Sequence, residues 1–229
     1  MSKIVYDYVE DYIRNMIPQN DELLKSMEDY ALENNVPIVQ REVAKLLSLI
    51  IKMKDSKNIL EIGTAIGYSA IMMNKASNNA KIVTIERNKD MIEKAEENIK
   101  SAGLENSIQV IEGDALEVLP KIDDKFDLIF IDAAKGQYKE FFSYCDRCLK
   151  LGGIIFADNV LFRGMIANND LVVRRKITIV KRMRNYLEFI SKNKNYETSI
   201  LSIGDGVAIS LKTGDEYELE GNLWTNLNF

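Results

Sequence analysis

Between Lys57 and Asn159 five short apolar runs recur, at residues 58–62, 81–86, 108–112, 126–132 and 154–158, and stretches of helical period lie between them. Runs that are continuously apolar, with no alternation, read as strands buried on both faces, and the helices between them impose parallel crossovers. The pattern predicts an α/β fold with a mostly parallel sheet covered by helices on both sides. Residues 67–75 open the first crossover helix and 89–102 the second, with Gly103 as its stop. A later one covers 137–149 and ends at Gly152 and Gly153. Residues 199–203 and 207–212, joined by Gly204-Asp205-Gly206, predict an antiparallel hairpin at the sheet edge. Upstream, Val5, Val9, Ile13 and Met16, then Leu23, Leu24, Met27 and Leu32, then Val43, Leu46, Leu47 and Ile50 recur at helical spacing, with Pro18 and Pro37 at the breaks. The 229 residues therefore read as one domain: N-terminal helices over 1–54, an α/β core over 57–212 and a tail over 213–229.

Composition narrows the chemistry. With 46% hydrophobic and 28% charged residues the chain is of ordinary globular type. Its longest apolar runs fall far short of the roughly 20 residues of a membrane helix, and the start carries no signal-peptide stretch, so a cytoplasmic protein with no membrane partner is expected. Two cysteines agree with a reducing compartment. There is no histidine, which excludes Ser-His and Cys-His nucleophilic schemes and the common zinc-protease motifs. The net charge of −5 is unevenly spread: from Val172 to Asn195, Arg174, Arg175, Lys176, Lys181, Arg182, Arg184, Lys192 and Lys194 face the single acid Glu188.

The first strand runs into Glu61-Ile62-Gly63-Thr64-Ala65-Ile66-Gly67 and then a helix, so a glycine-bearing turn stands at the strand's carboxyl end, the ligand edge of a Rossmann-like sheet. A dinucleotide fingerprint reading from Gly63 fails at Ala65 and Tyr68. The missing second glycine is the one that lets the backbone approach a pyrophosphate, and S-adenosylmethionine has no phosphate. Glu61 would suit that cofactor's ammonium group, directly or through water. Glu86, at the end of the second strand, is placed to accept from ribose hydroxyls, and Asp114 in Gly113-Asp114-Ala115, at the end of the third, lies near the expected adenine. Any one of these acids alone reads as readily as a helix cap or a solvated loop residue. Their placement at successive strand ends favours a nucleotide-like cofactor, with S-adenosylmethionine preferred over NAD.

The fourth strand ends in Asp132-Ala133-Ala134-Lys135-Gly136-Gln137-Tyr138 and the fifth in Asp158-Asn159, on the same rim. Asp132, Asp158 and Asn159 form a hard, all-oxygen set that suits Mg²⁺ or a similar divalent cation.

The blocks Glu61 to Ser69, Asp132 to Tyr138 and Asp158-Asn159-Val160-Leu161-Phe162-Arg163-Gly164 resemble those of the cation-dependent O-methyltransferases, the family that includes caffeoyl-CoA and catechol O-methyltransferases. The resemblance spans residues 36–212. It implies a Rossmann-like, S-adenosylmethionine-dependent methyltransferase fold, a metal held by Asp132, Asp158 and Asn159, and a cofactor held by Val39, Gly63, Ser69, Glu86, Asp114, Ala115 and Asp132. It also implies substrate deprotonation by Lys135. Within the family, the Ala-Ala-Lys-Gly-Gln-Tyr and Phe-Arg-Gly wording is most similar to the bacterial tRNA 5-hydroxyuridine methyltransferases, which implies tRNA as the acceptor. The basic segment 172–195 agrees, because phosphate contacts supply most non-specific RNA affinity. The alternative acceptor is a small catechol-like or phenolic compound, since vicinal oxygens would meet the metal in the same way.

Three further features are set apart from the chemistry. Cys145 and Cys148 have a redox-like spacing, but lie in a helical pattern with no histidine to complete a metal set, and read as a buried helix. Tyr6, Tyr8 and Tyr12 read as packing residues or as part of a homodimer seam through the N-terminal helices. Trp224 and Phe229, in the tail, fit a pocket cap or a dimer contact equally.

Overall fold

The computed structural model describes residues 4–214, so Trp224 and Phe229 lie outside the described residues. Strands β1 (Asn58–Ile62), β2 (Lys81–Glu86), β3 (Ile108–Glu112), β4 (Phe126–Ile131), β5 (Leu149–Ala157), β6 (Tyr196–Leu201) and β7 (Val207–Lys212) form one sheet in the order β3-β2-β1-β4-β5-β7-β6. The first five pair in parallel, while β7 runs antiparallel to β5 and β6 and makes the expected edge hairpin.

The continuous apolar runs have a direct structural cause. Successive residues of each central strand point to opposite faces. Ile59, Leu128, Phe130 and Phe156 enter one core, and Leu60, Ile62, Ile129, Ile131 and Ile155 enter the other. Helices α2 (Glu22–Glu33), α3 (Arg41–Lys54), α4 (Tyr68–Ala76) and α5 (Lys89–Ser101) cover the first face through Leu24, Leu47, Ile71 and Ala95. Helices α7 (Tyr138–Cys148) and α8 (Ile177–Lys192) cover the second through Phe142, Met183, Tyr186 and Ile190. Each fully buried Ile, Leu or Phe contributes about 1.5–3 kcal/mol. Helix α1 (Asp7–Met16) is different, because it leaves Tyr6, Tyr8, Tyr12 and Met16 exposed. It is tied down by Arg14, which donates from Nε (2.9 Å) and Nη2 (2.6 Å) to the two carboxylate oxygens of buried Glu42.

Several boundaries differ from expectation, among them the first hairpin strand, which runs over Tyr196–Leu201 and not 199–203. The helix that starts near Gln137 ends at Cys148, and β5 begins at once with Leu149, so Gly152 and Gly153 lie inside a strand. The pair accommodates an irregularity in β4–β5 pairing: Gly152 has φ +71°, and a Cβ on Gly153 would stand 2.7 Å from both Leu149 Cδ1 and Lys150 O. The fourth strand stops at Ile131 and the fifth at Ala157, which leaves Asp132 and Asp158 just beyond the strands, at the rim. Cys145 and Cys148 are free thiols buried in α7. Among the described residues no helix is long and apolar enough to cross a membrane.

Chain order determines where a ligand can sit. From β1 the sheet grows one way through β2 and β3 and the other way through β4 and β5. The connecting loops therefore part at the carboxyl ends of β1 and β4, opening a crevice.

Candidate active site

That crevice is a cavity of about 460 Å³, and Val39, Gly63, Ser69, Glu86, Asp114, Ala115, Asp132, Lys135, Asp158 and Asn159 all line it. The structure thus brings together every anticipated site residue except Glu61.

On the cofactor side, the turn after β1 is held close to the chain after β4. Gly63 has φ +104°, and a Cβ there would lie 2.2 Å from the carbonyl oxygen of Asp132, so no side chain fits. Gly67, at φ +81°, starts α4 and places Ser69 in its first turn. The Glu86 carboxylate accepts from the backbone N–H groups of Ala65 (3.0 Å), Arg87 (2.9 Å) and Asn88 (3.0 Å), so it shapes the loop as well as facing the cavity. Asp114 caps α6 (Ala115–Val118) by accepting from Leu116 N (2.9 Å), and Arg87 Nη1 donates to its other oxygen at 3.3 Å. The capping reading therefore holds for Asp114, and its place on the cavity wall holds as well.

Glu61 sits behind the cavity wall, not on it. It is a strand residue with no exposed surface, its Oε2 accepting from the Thr84 hydroxyl at 2.6 Å, while its Oε1 has no partner among the described residues. Burial pushes its carboxyl up to about 8, against the opposing effect of the nearby Ser69 and Thr84 hydroxyls. Because this pKa is raised on folding, its contribution to stability is complete below the ordinary carboxylate range and is lost as pH climbs towards about 8. Glu61→Gln, which cannot ionise, is expected to melt several degrees above the wild type at pH 8 and close to it at pH 5. Parallel melting curves at both pH values would contradict a buried, protonated Glu61.

On the acceptor side, the backbone continues the parallel ladder past the strands: Asp132 N donates to Ile62 O (3.0 Å) and Asp158 N to Ile131 O (2.9 Å). Asn159 Nδ2 donates to Asp132 Oδ1 at 3.1 Å, and the Tyr138 hydroxyl donates to the carbonyl of Asp158 at 2.9 Å. Burial raises the Asp132 carboxyl above the usual range. It raises Asp158 as well, where the Asp132 charge adds to the effect, and Lys135 opposes it at both. Among the described residues neither acid forms an ion pair, and no cluster of three or more His, Cys, Asp or Glu side chains is present. The set is two acids and an amide. Their mutual repulsion is what a divalent cation would relieve, and an amide turned about its terminal bond would offer Oδ1 in place of Nδ2.

Several features of the site lay beyond the sequence reading. The loop after β5 carries left-handed backbone at Asn159 (φ 60°), Phe162 (45°), Arg163 (56°) and Gly164 (77°). The three residues with a Cβ each cost on the order of 1–3 kcal/mol. The ammonium groups of Lys135 and Lys176 stand 5.8 and 5.7 Å from the Phe162 ring centroid. Tyr68 also lines the cavity and donates from its hydroxyl to Glu28 (2.6 Å), linking α4 to α2. Its place beside Ser69 was the only available signal. In the basic segment, Arg184 is committed to the carbonyls of Ile166 (2.9 Å) and Met165 (3.1 Å), and Arg182 to that of Gly136 (3.3 Å). Arg174, Arg175 and Lys181 are exposed.

With the geometry in place, the comparisons fall on one class, the S-adenosylmethionine-dependent O-methyltransferases. The chain belongs to the O-methyltransferase family, whose pattern it matches over residues 15–213. It is 30% identical over 223 residues to a catechol O-methyltransferase of Niastella koreensis, covering 92% of this chain and 99% of that one. It is likewise 30% identical to a caffeoyl-CoA O-methyltransferase of Medicago sativa, over 91% of this chain and 88% of that one. A crystal structure of a Staphylococcus aureus protein provisionally designated a caffeoyl-CoA O-methyltransferase superposes with a TM-score of 0.84 at 40% identity, covering 90% of this chain and all of that one. The O-methyltransferase TomG of Streptomyces achromogenes, solved in complex with SAM, gives 0.80 at 26% identity, over 93% of this chain and all of that one.

Proposed function

We propose that this enzyme transfers the methyl group of S-adenosylmethionine to a hydroxyl of a small catechol-like or phenolic acceptor, with a divalent cation held by Asp132, Asp158 and Asn159. The observation that carries the reading is the convergence of these three oxygen-bearing side chains on the same cavity as Gly63 and Glu86. The relatives named for catechol and caffeoyl-CoA favour an acceptor of that size over the wobble uridine of tRNA.

When bound, the cofactor supplies an activated methyl group and the cation supplies positive charge that stabilises an ionised acceptor hydroxyl. The protein's own residues supply placement. Gly63, by lacking a Cβ, lets the turn after β1 pack on the Asp132 carbonyl at the rim, and Glu86, Asp114 and Ala115 form the wall for the cofactor's nucleoside end. Val39 and Ser69 also line the cavity. Asp132 joins the two halves, because its carbonyl packs on the cofactor turn while its carboxylate meets Asn159. Lys135 follows Asp132 by three residues and also lines the cavity, and in this reading its Nζ, as the neutral amine, takes the proton of the acceptor hydroxyl. Such a group typically contributes about 10²–10⁴-fold.

A second reading, methylation of 5-hydroxyuridine in tRNA to 5-methoxyuridine, has one observation in its favour: exposed Arg174, Arg175 and Lys181 on the segment that also brings Lys176 to Phe162. Reversing the three charges together separates the readings. Under the proposed function, kcat/KM for a small catechol stays within about twofold, because the three lie outside the ligand blocks and contact neither reacting group. Under the tRNA reading, KM for hydroxylated tRNA rises on the order of tenfold or more and its salt dependence flattens, as phosphate contacts are lost. Steady-state assays on both acceptors at two salt concentrations distinguish the two. Turnover of tRNA with that salt signature, and none of the catechol, would replace the proposed acceptor.

A further inference from the structure

We infer that Asp205, in the turn of the edge hairpin, is a positioning residue for the metal and acceptor half of the site, acting through the backbone of the loop after β5. The inference rests on the metal reading proposed above. Loop 159–164 begins with Asn159, an expected metal ligand, and carries Phe162, beside which Lys135 Nζ stands. Four of its six residues hold left-handed backbone, which an isolated chain would abandon, so something outside the loop must hold it.

The holding contacts come from the hairpin turn. Val160 N donates to Gly206 O (2.9 Å), Leu161 N donates to Asp205 O (3.0 Å), and Arg163 N donates to the Asp205 side chain at Oδ1. Only the last involves a side chain, and it acts where Phe162 and Arg163 are both left-handed. Asp205 is 9% exposed, so its carboxylate is largely withdrawn from water, and a backbone N–H is a partner that helps compensate. The turn is closely packed on both sides. A Cβ on Gly206 would lie 2.4 Å from Leu161 Cγ, and one on Gly204 would lie 2.6 Å from Val43 Cγ2 and 2.7 Å from Gln40 Oε1. Gln40 and its neighbour Val39 line the cofactor cavity. The Gly-Asp-Gly turn is thus wedged between the loop that carries Asn159 and the wall beside the cofactor, and Asp205 is its grip on the former.

The test uses the full-length protein with Mn²⁺ as the probe, titrated at saturating S-adenosylmethionine and read by the free-ion electron paramagnetic resonance signal. Asp205→Ala removes the grip, and Asp205→Asn keeps an oxygen that can accept from Arg163 N. The expected result is a rise of about tenfold or more in both the Mn²⁺ Kd and the acceptor KM for Asp205→Ala, with the S-adenosylmethionine Kd within about twofold of wild type. Asp205→Asn is expected to restore most of the loss. Unchanged Mn²⁺ binding and KM in Asp205→Ala would overturn the inference. A defect in Asp205→Asn equal to that of Asp205→Ala would also overturn it, since charge and not loop position would then be responsible. Equal weakening of S-adenosylmethionine binding would count against it too, as general loss of structure. If the wild type itself binds no Mn²⁺ in a manner sensitive to Asp158→Ala, the metal reading fails, and the role assigned here fails with it.

Discussion

Asp158→Asn is expected to lower kcat/KM by about 10³-fold or more, equivalent to roughly 4 kcal/mol of transition-state stabilisation, while raising the melting temperature of the ligand-free protein. The two effects have one cause. Asp158 is buried beside Asp132, and its carboxyl is held well above the usual range by burial and then by its neighbour's charge. Near neutral pH such an acid opposes folding, because the unfolded chain ionises it freely and the folded chain does not. An uncharged isostere removes that opposition and keeps the backbone contacts of Asp158, its N–H to Ile131 and its carbonyl from the Tyr138 hydroxyl. The same change removes a hard anionic ligand from a set of only three, so cation affinity falls. Activity and stability then move in opposite directions, the usual sign of a functional constraint. Thermal melts with and without chelator, beside steady-state kinetics at saturating Mg²⁺, read both effects. An unchanged rate would remove Asp158 from the metal site, and a rate lost together with a lowered melting temperature would make it a structural residue.

Glu86→Ala is expected to weaken S-adenosylmethionine binding by about 100-fold or more, because each hydrogen bond to a charged group contributes about 1.5–3 kcal/mol and this carboxylate makes several. The sequence pointed to a ribose contact alone. In the structure Glu86 also gathers the N–H groups of Ala65, Arg87 and Asn88, so alanine would strip the turn after β1 and the start of the chain towards α5 of a shared acceptor. Glu86→Gln keeps one oxygen and loses the charge, and an intermediate loss of about tenfold follows from the weaker neutral bonds. Calorimetric titration with S-adenosylmethionine measures both variants. Equal, wild-type dissociation constants would reduce Glu86 to a residue of the loop with no part in the cofactor site.

Much of this site was legible because parallel strands write themselves plainly. A strand buried on both faces is apolar over most of its length, so an acid at the end of the run, Asp132 or Asp158, marks the rim. The positions of Gly63, Glu86 and Asp114 followed by the same logic. Depth was not legible: Glu61 is adjacent to the loop in sequence, yet it is buried behind the wall because strand geometry, not loop proximity, directs its side chain. Long-range backbone contacts were equally hidden. Nothing in the order Gly204-Asp205-Gly206 announces that its carboxylate meets Arg163 N, 42 residues away in the chain. The Gly152-Gly153 pair misled for a related reason, since glycine marks a helix end and a strand irregularity with the same letter. The acceptor is the hardest element to read, because a vicinal pair of oxygens presents one geometry to the metal site whether it belongs to a catechol or to a hydroxylated base.

The most direct measurement of the central claim is transfer of label from methyl-labelled S-adenosylmethionine to a small catechol such as 3,4-dihydroxybenzoate, with Mg²⁺ and with excess chelator. The account predicts a mono-O-methylated product that forms with Mg²⁺, disappears with chelator and returns when Mg²⁺ is restored. Label appearing on the catechol at the same rate in excess chelator, or no label on any vicinal dihydroxy aromatic while S-adenosylmethionine binds normally, would contradict it.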